Sequence, residues 1–234
     1  PNWSLVARSL VIPQGPISFD YLYTSIAVLG TTVTAWGQFF INSYVKDKKI
    51  TPSHLRYNRW EIYLGAILTN VFSLFIMVAV IATVFSHGIP ISGAAQAALA
   101  MNPLAGPLAG QLFAAGLLVA GFIGAAIVPL ATAYAFSEFF GFEGSLDVTF
   151  TKSRLFYSFF LLQIILGALF IMLPQISLFQ ITLSADFLNG IFLPLIFFFL
   201  YKFANNQDLM GEYKNNRWQN ALLVGSAVLI TLTS

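Results

Sequence analysis

The chain has 234 residues, of which 58% are hydrophobic and only 9% charged, and its mean hydropathy is +0.79. Soluble domains carry about 25% charged residues, so a soluble fold is excluded and an all-α polytopic membrane protein is expected. The net charge of +2 says little by itself, no nucleic-acid partner is expected, and the lack of cysteine excludes disulfides and thiolate metal sites.

Residues 1–19 read as an external loop segment. They begin at Pro1 and lack the basic stretch and apolar core of a signal peptide. Residues 20–234 read as a transmembrane domain of about six spans, at 20–45, 60–86, 108–136, 155–173, 178–201 and 218–233. The connection from Gly88 to Pro107 holds Pro90, Pro103 and Pro107 around an Ala-rich stretch and predicts a short interfacial helix. Lys46, Lys48, Lys49, Arg56 and Arg59 follow the first span. Lys152 and Arg154 follow the third, and Lys202, Lys214 and Arg217 the fifth, which leaves only Arg8 of the eleven basic residues on the other side. The positive-inside rule therefore places the N-terminus outside. An external start is expected to follow an odd number of upstream spans, as in the C-terminal part of a longer protein or one piece of a split one.

The first span carries a polar interruption, Gly30-Thr31-Thr32-Val33-Thr34-Ala35-Trp36-Gly37-Gln38. Counted from Asp20, Thr31–Ala35 lie about 16–22 Å deep at 1.5 Å per residue, near the middle of a core of about 30 Å. Thr and Gly both weaken a helix, and broken midplane helices are how secondary transporters expose carbonyl oxygens to a cation. The plainer alternatives are a Thr hydroxyl bonded back to its i−4 carbonyl, a packing role for Trp36 and an interhelical bond for Gln38.

The fifth span carries Asp186 inside an apolar run from Ile176 to Tyr201. A mid-membrane carboxylate costs about 2.5–3.5 kcal/mol on insertion scales, and such residues mark ion or substrate paths. Thr182 lies four residues before it and Asn189 three after, so all three share a helix face. The alternative is a satisfied interhelical hydrogen bond. Glu61 reads as an interfacial ion-pair residue and Glu138 as a helix-end group in a cytoplasmic vestibule. Pro129 and Pro194 are expected to kink their helices. His54 and His87 fall in or near loops, and no HExxH, P-loop or GxSxG pattern argues for an enzyme.

Four stretches in order carry a resemblance. They are GTTVTAWGQFFINSYVKDK (30–48), LRYNRWEIYLGAILTN (55–70), PLATAYAFSE (129–138), and LNG (188–190) with LMGEY (209–213). Together they resemble helices six to eleven of the Nramp family of divalent-metal transporters, in the branch with Trp where animal and many bacterial members have His. The resemblance implies the second repeat of a LeuT-type inverted-repeat fold plus one helix. The first five-helix repeat, with its Asp and Asn metal ligands, would lie on the same or a partner chain. It places the family's carbonyl ligand on Thr31, its Met on Thr34, the following Pro on Ala35 and the His on Trp36. The second His falls on Ile41, and the tenth-helix Gln on Asp186.

These departures lose the thioether and both histidines and add hard oxygen donors. They are similar to the Nramp-related magnesium transporters, and oxygen donors favour Mg²⁺ or Mn²⁺. The expectation is an importer of a divalent metal ion in a plasma or inner membrane. Its metal residues would be Thr31, Thr34 and Asp186, with Trp36, Gln38, Thr182 and Asn189 lining the site, and it would need no cofactor. The alternatives are a proton-coupled Mn²⁺/Fe²⁺ carrier and a non-transporting membrane scaffold.

Overall fold

A computed structural model describes Ser4, Arg8, residues 16–83, Gly88, residues 93–173 and residues 177–233. Most of the expected external segment lies outside these residues, as do positions 84–86 of the second expected span, His87 and Pro90.

Among the described residues every regular element is a helix: α1 (Phe19–Thr32), α2 (Ala35–Asp47), α3 (Leu55–Thr83), α4 (Ala94–Ala105), α5 (Pro107–Phe140), α6 (Arg154–Ile171), α7 (Leu178–Ala204), α8 (Gln207–Met210) and α9 (Arg217–Thr233). Short 3₁₀ turns at Pro52–His54 and Gly211–Tyr213 complete the set. Among the described residues, five stretches are long and apolar enough to cross a membrane: Phe19–Asp47, Pro52–Ala82, Leu108–Phe140, Arg154–Ile171 and Leu178–Ala204. The protein is therefore an all-α polytopic membrane protein. α9 has 17 residues and is not among the five. α4 occupies the Ala-rich connection after α3.

The helix ends have local causes. The Ser18 hydroxyl accepts the Tyr21 amide at 3.1 Å and starts α1. Ser177 does the same for the Gln180 amide of α7 at 3.4 Å. Asn206 accepts the amides of Asp208 and Leu209 at 2.8 and 3.2 Å and starts α8. α5 ends where Gly141 takes φ +73°, a left-handed conformation that glycine adopts without penalty. Pro129 and Pro194 lie inside α5 and α7, where each removes one backbone donor.

The chain divides into two compact units. One holds residues 44–130 and 145–149 along with the N-terminal stretch. Within it Asp47 accepts the Ser145 hydroxyl and the Leu146 amide, both at 3.3 Å, and Lys49 pairs with Asp147 at 3.2 Å. That pair is exposed and adds at most about 1 kcal/mol. The Tyr44 hydroxyl holds the Lys48 ammonium above the usual lysine range, with the amine 4.6 Å from the centre of the ring. The loop after α2 thus keeps its positive charge.

The other unit holds residues 16–43, 131–144 and 150–234. Its core has an aromatic centre. Tyr134 packs 4.9 Å from Phe156 and 6.0 Å from Phe40, and Phe136 stacks on Phe159 at 4.0 Å. Phe156 and Leu193 are fully buried. Beside this cluster, buried Ser43 donates to the Glu138 carboxylate at 2.8 Å. α1 packs along α7, and α9 lies against both. At the turn into α9, Asn220 donates to Asn205 at 2.6 Å and accepts from Asn205 and Asn215 at 2.9 and 3.1 Å.

Candidate functional site

The polar interruption in the first long stretch is a true break. α1 stops at Thr32, Val33 is extended at φ −119° and ψ 90°, and α2 begins at Ala35. Three β-branched residues in a row before Thr34 lose rotamer freedom in a helix, which weakens the helix there. The last backbone bond of α1 runs from the Val33 amide to the Leu29 carbonyl at 3.0 Å. Among the described residues no backbone amide beyond it closes onto the carbonyls of Gly30, Thr31 or Thr32. A helix C-terminus carries about half a negative charge, so three carbonyls open at that end suit a cation.

The Thr side chains divide the work. The hydroxyls of Thr31 and Thr32 both donate to the Val28 carbonyl, at 2.8 and 2.9 Å. Thr31 therefore has its backbone carbonyl to offer, with its hydroxyl donor already used. Thr34 sits in the N-cap position of α2, and its Oγ1 would be 2.8 Å from a Cβ built on Gly37. Trp36 and Gln38 are half-buried in the first turn of α2.

α7 meets this break through two glycines. A Cβ on Gly30 would clash with the Asp186 carbonyl and lie 2.7 Å from the Gly190 amide. One on Gly190 would lie 2.5 Å from the Ile26 carbonyl. The two backbones therefore touch one residue before Thr31, with Asp186 at the contact. Asp186 is half-buried, and among the described residues no salt bridge reaches it. Asn189 is half-buried on its face. Thr182 is exposed and its hydroxyl bonds back to the Leu178 carbonyl at 2.9 Å, so it follows the plainer reading. The structure thus brings Thr31 and Asp186 to one crossing and leaves Thr182 more than a turn away along α7.

Sequence reasoning missed a contact above this crossing. Tyr23 donates to Ser184 at 2.9 Å and stacks on Phe187 with ring centres 4.4 Å apart. The signal lay in the spacing: Ser184 and Phe187 flank Asp186 on the α1-facing side of α7. Among the described residues no three His, Cys, Asp or Glu side chains converge in a metal cage. What the structure shows at the crossing is open backbone carbonyls at the end of α1 set against the backbone of Asp186, whose side chain is half-buried.

The profile of the Nramp family, described as natural resistance-associated macrophage protein-like, matches residues 1–234. The chain is also 22% identical over 238 residues to the divalent metal cation transporter MntH of Clostridium acetobutylicum, covering 99% of this chain and 52% of that protein. It spans about half the length of that relative. With the whole chain matched by the family profile, the chain belongs to the Nramp family, and its helices form part of that family's LeuT-type fold.

Proposed function

We propose that this chain forms the helix-six-to-eleven half of a divalent-metal importer, with the cation held between the α1–α2 break and Asp186. One observation carries the reading: the three open carbonyls at residues 30–32 end against the backbone of Asp186 through the Gly30–Gly190 contact. Thr31 supplies a carbonyl, Thr34 a hydroxyl or water-mediated contact, and Asp186 a carboxylate or water-mediated contact. Trp36, Gln38 and Asn189 line the pocket. The remaining ligands come from a five-helix repeat on the same or a partner chain, and the bilayer is that of a plasma or inner membrane. The relative's printed description as a divalent metal cation transporter supports the substrate class.

The donor chemistry favours Mg²⁺ or Mn²⁺. Carbonyl, hydroxyl, carboxylate and water suit hard cations, and Mg²⁺ keeps several of its waters. A thioether at position 34 would instead favour softer ions. Alternating access follows from rocking the bundle that contains α1 and α2 against the remaining helices. In the protein at its full native length, Thr34→Met is expected to raise Cd²⁺ uptake relative to Mg²⁺ by about tenfold, a difference of about 1.4 kcal/mol. An unchanged ratio in proteoliposomes removes Thr34 from selectivity. Acidification of the lumen during Mn²⁺ uptake would instead favour a proton-coupled carrier.

A further inference from the structure

A polar cleft lies toward the N-terminal ends of α1 and α7, away from the break on α1. Its volume is about 440 Å³, and it is lined by Asp20, Tyr23, Thr24, Gln180, Leu183 and Ser184. Asp20 and Thr24 stand four residues apart on α1, and Gln180 and Ser184 four apart on α7, so each helix presents two polar groups on one face. We propose that this cleft is a second, outer cation site that takes a fully hydrated divalent ion.

Charge carries the argument first. Asp20 is the one acidic side chain in the lining, and among the described residues no salt bridge reaches it. No Lys or Arg lies between Arg8 and Lys46, or between Arg154 and Lys202, so neither helix brings a cation to the cleft. The donors come second. The Asp20 carboxylate, the Thr24 hydroxyl and the Gln180 side-chain carbonyl are oxygen acceptors for water held by a hard cation, whereas the Ser184 hydroxyl bonds back to the Gln180 backbone carbonyl at 2.8 Å.

Size comes third. Six waters at about 30 Å³ each need less than half the cleft, so the ion enters without losing its shell. With one carboxylate and contacts through water, binding is weak and exchange fast, as a collecting site requires. Tyr23 links the two sites. It lines the cleft, and its ring stacks on Phe187, the neighbour of Asp186. The Tyr23–Ser184 bond and this stack form the floor of the outer site, which must part before an ion reaches the inner one.

The role in uptake rests on the transport reading, whereas the binding does not, and the two are tested apart. Mn²⁺ is titrated by electron paramagnetic resonance into the detergent-purified, full-length protein carrying Asp186→Ala. A residual weak Mn²⁺ site is expected, lost on adding Asp20→Asn and weakened by Gln180→Leu. Both positions are exposed, so the variants should elute as folded protein on gel filtration. No residual site, or one indifferent to both changes, overturns the proposal. In uptake, Asp20→Asn alone should raise the apparent KM about threefold at low ionic strength and leave Vmax unchanged, with the difference shrinking in high salt. Residual binding without any uptake would keep the outer site and sink the transport reading instead.

Discussion

Gly30 is the residue on which the proposed inner site turns. Its lack of a side chain lets α1 touch the backbone of α7 at Asp186 and Gly190. Gly30→Ala puts a methyl group into that contact, and overpacking of this kind costs about 1–3 kcal/mol. The expected result is a lower thermal midpoint in detergent, followed by intrinsic fluorescence, together with a raised KM for Mn²⁺. A Gly65→Ala control should show neither effect, since nothing lies within 4 Å of a Cβ there. Asp186 and Gly30 were both visible in the sequence, one as a charge in an apolar run and the other as the start of a Thr-rich stretch. Their meeting was not visible. Nothing in residue spacing says which glycine of α7 faces which glycine of α1, because the crossing is set by packing between segments more than 150 residues apart. Gly190 entered the sequence reading only as part of a motif. The back-bonded hydroxyl of Thr182 shows the converse, a residue on the right helical face whose polar group is used locally.

At the scale of elements, the break and the helix pairing behave differently. The break was legible because its cause is local: β-branched residues and glycines weaken the helix where it stops. The structure confines the break to Val33 and Thr34, so α1 and α2 are both close to full length. Restoring helix propensity there with Val33→Leu and Thr34→Ala should favour bonds from the amides of residues 34–36 to the carbonyls of residues 30–32. Those amides are then expected to gain protection in hydrogen exchange, and divalent-ion binding to fall. Unchanged exchange would mean that tertiary packing, not local propensity, holds the break open. The pairing of α2 with α5 was not legible in this way. Glu138 was expected as a helix-end group, and the structure finds it accepting a hydrogen bond from buried Ser43. A serine in an apolar helix carries no sign of its partner. Ser43→Ala leaves the exposed Glu138 to water, so only a small loss of stability is expected, about 1 kcal/mol or less.

For the molecule as a whole, the abundance of exposed apolar surface is the governing fact. Side chains such as Phe122, Leu118 and Phe198 face outward along helices long enough to cross a bilayer. In lipid such side chains need no burial, and the helices satisfy their own backbone groups. Membrane class was legible in composition, because hydropathy acts residue by residue. The expectation of a cation site came from the Thr-rich interruption and Asp186, and the expectation of a hard ion from the resemblance. The orientation implied by the basic loops has a direct check. In a cysteine-free full-length protein, Lys49→Cys should resist a membrane-impermeant maleimide in intact cells and react after permeabilisation, while Asp20→Cys should react from outside. The reverse pattern would invert the topology. The central claim is that the open carbonyls after Gly30 and the Asp186 carboxylate hold a divalent ion, and Mn²⁺ uptake by the full-length protein in proteoliposomes, with and without Asp186→Ala, tests it most directly. A charge-assisted contact is worth about 1.5–3 kcal/mol, so the account predicts saturable uptake whose KM rises at least about tenfold in the variant. Uptake with the same KM in both proteins would contradict it.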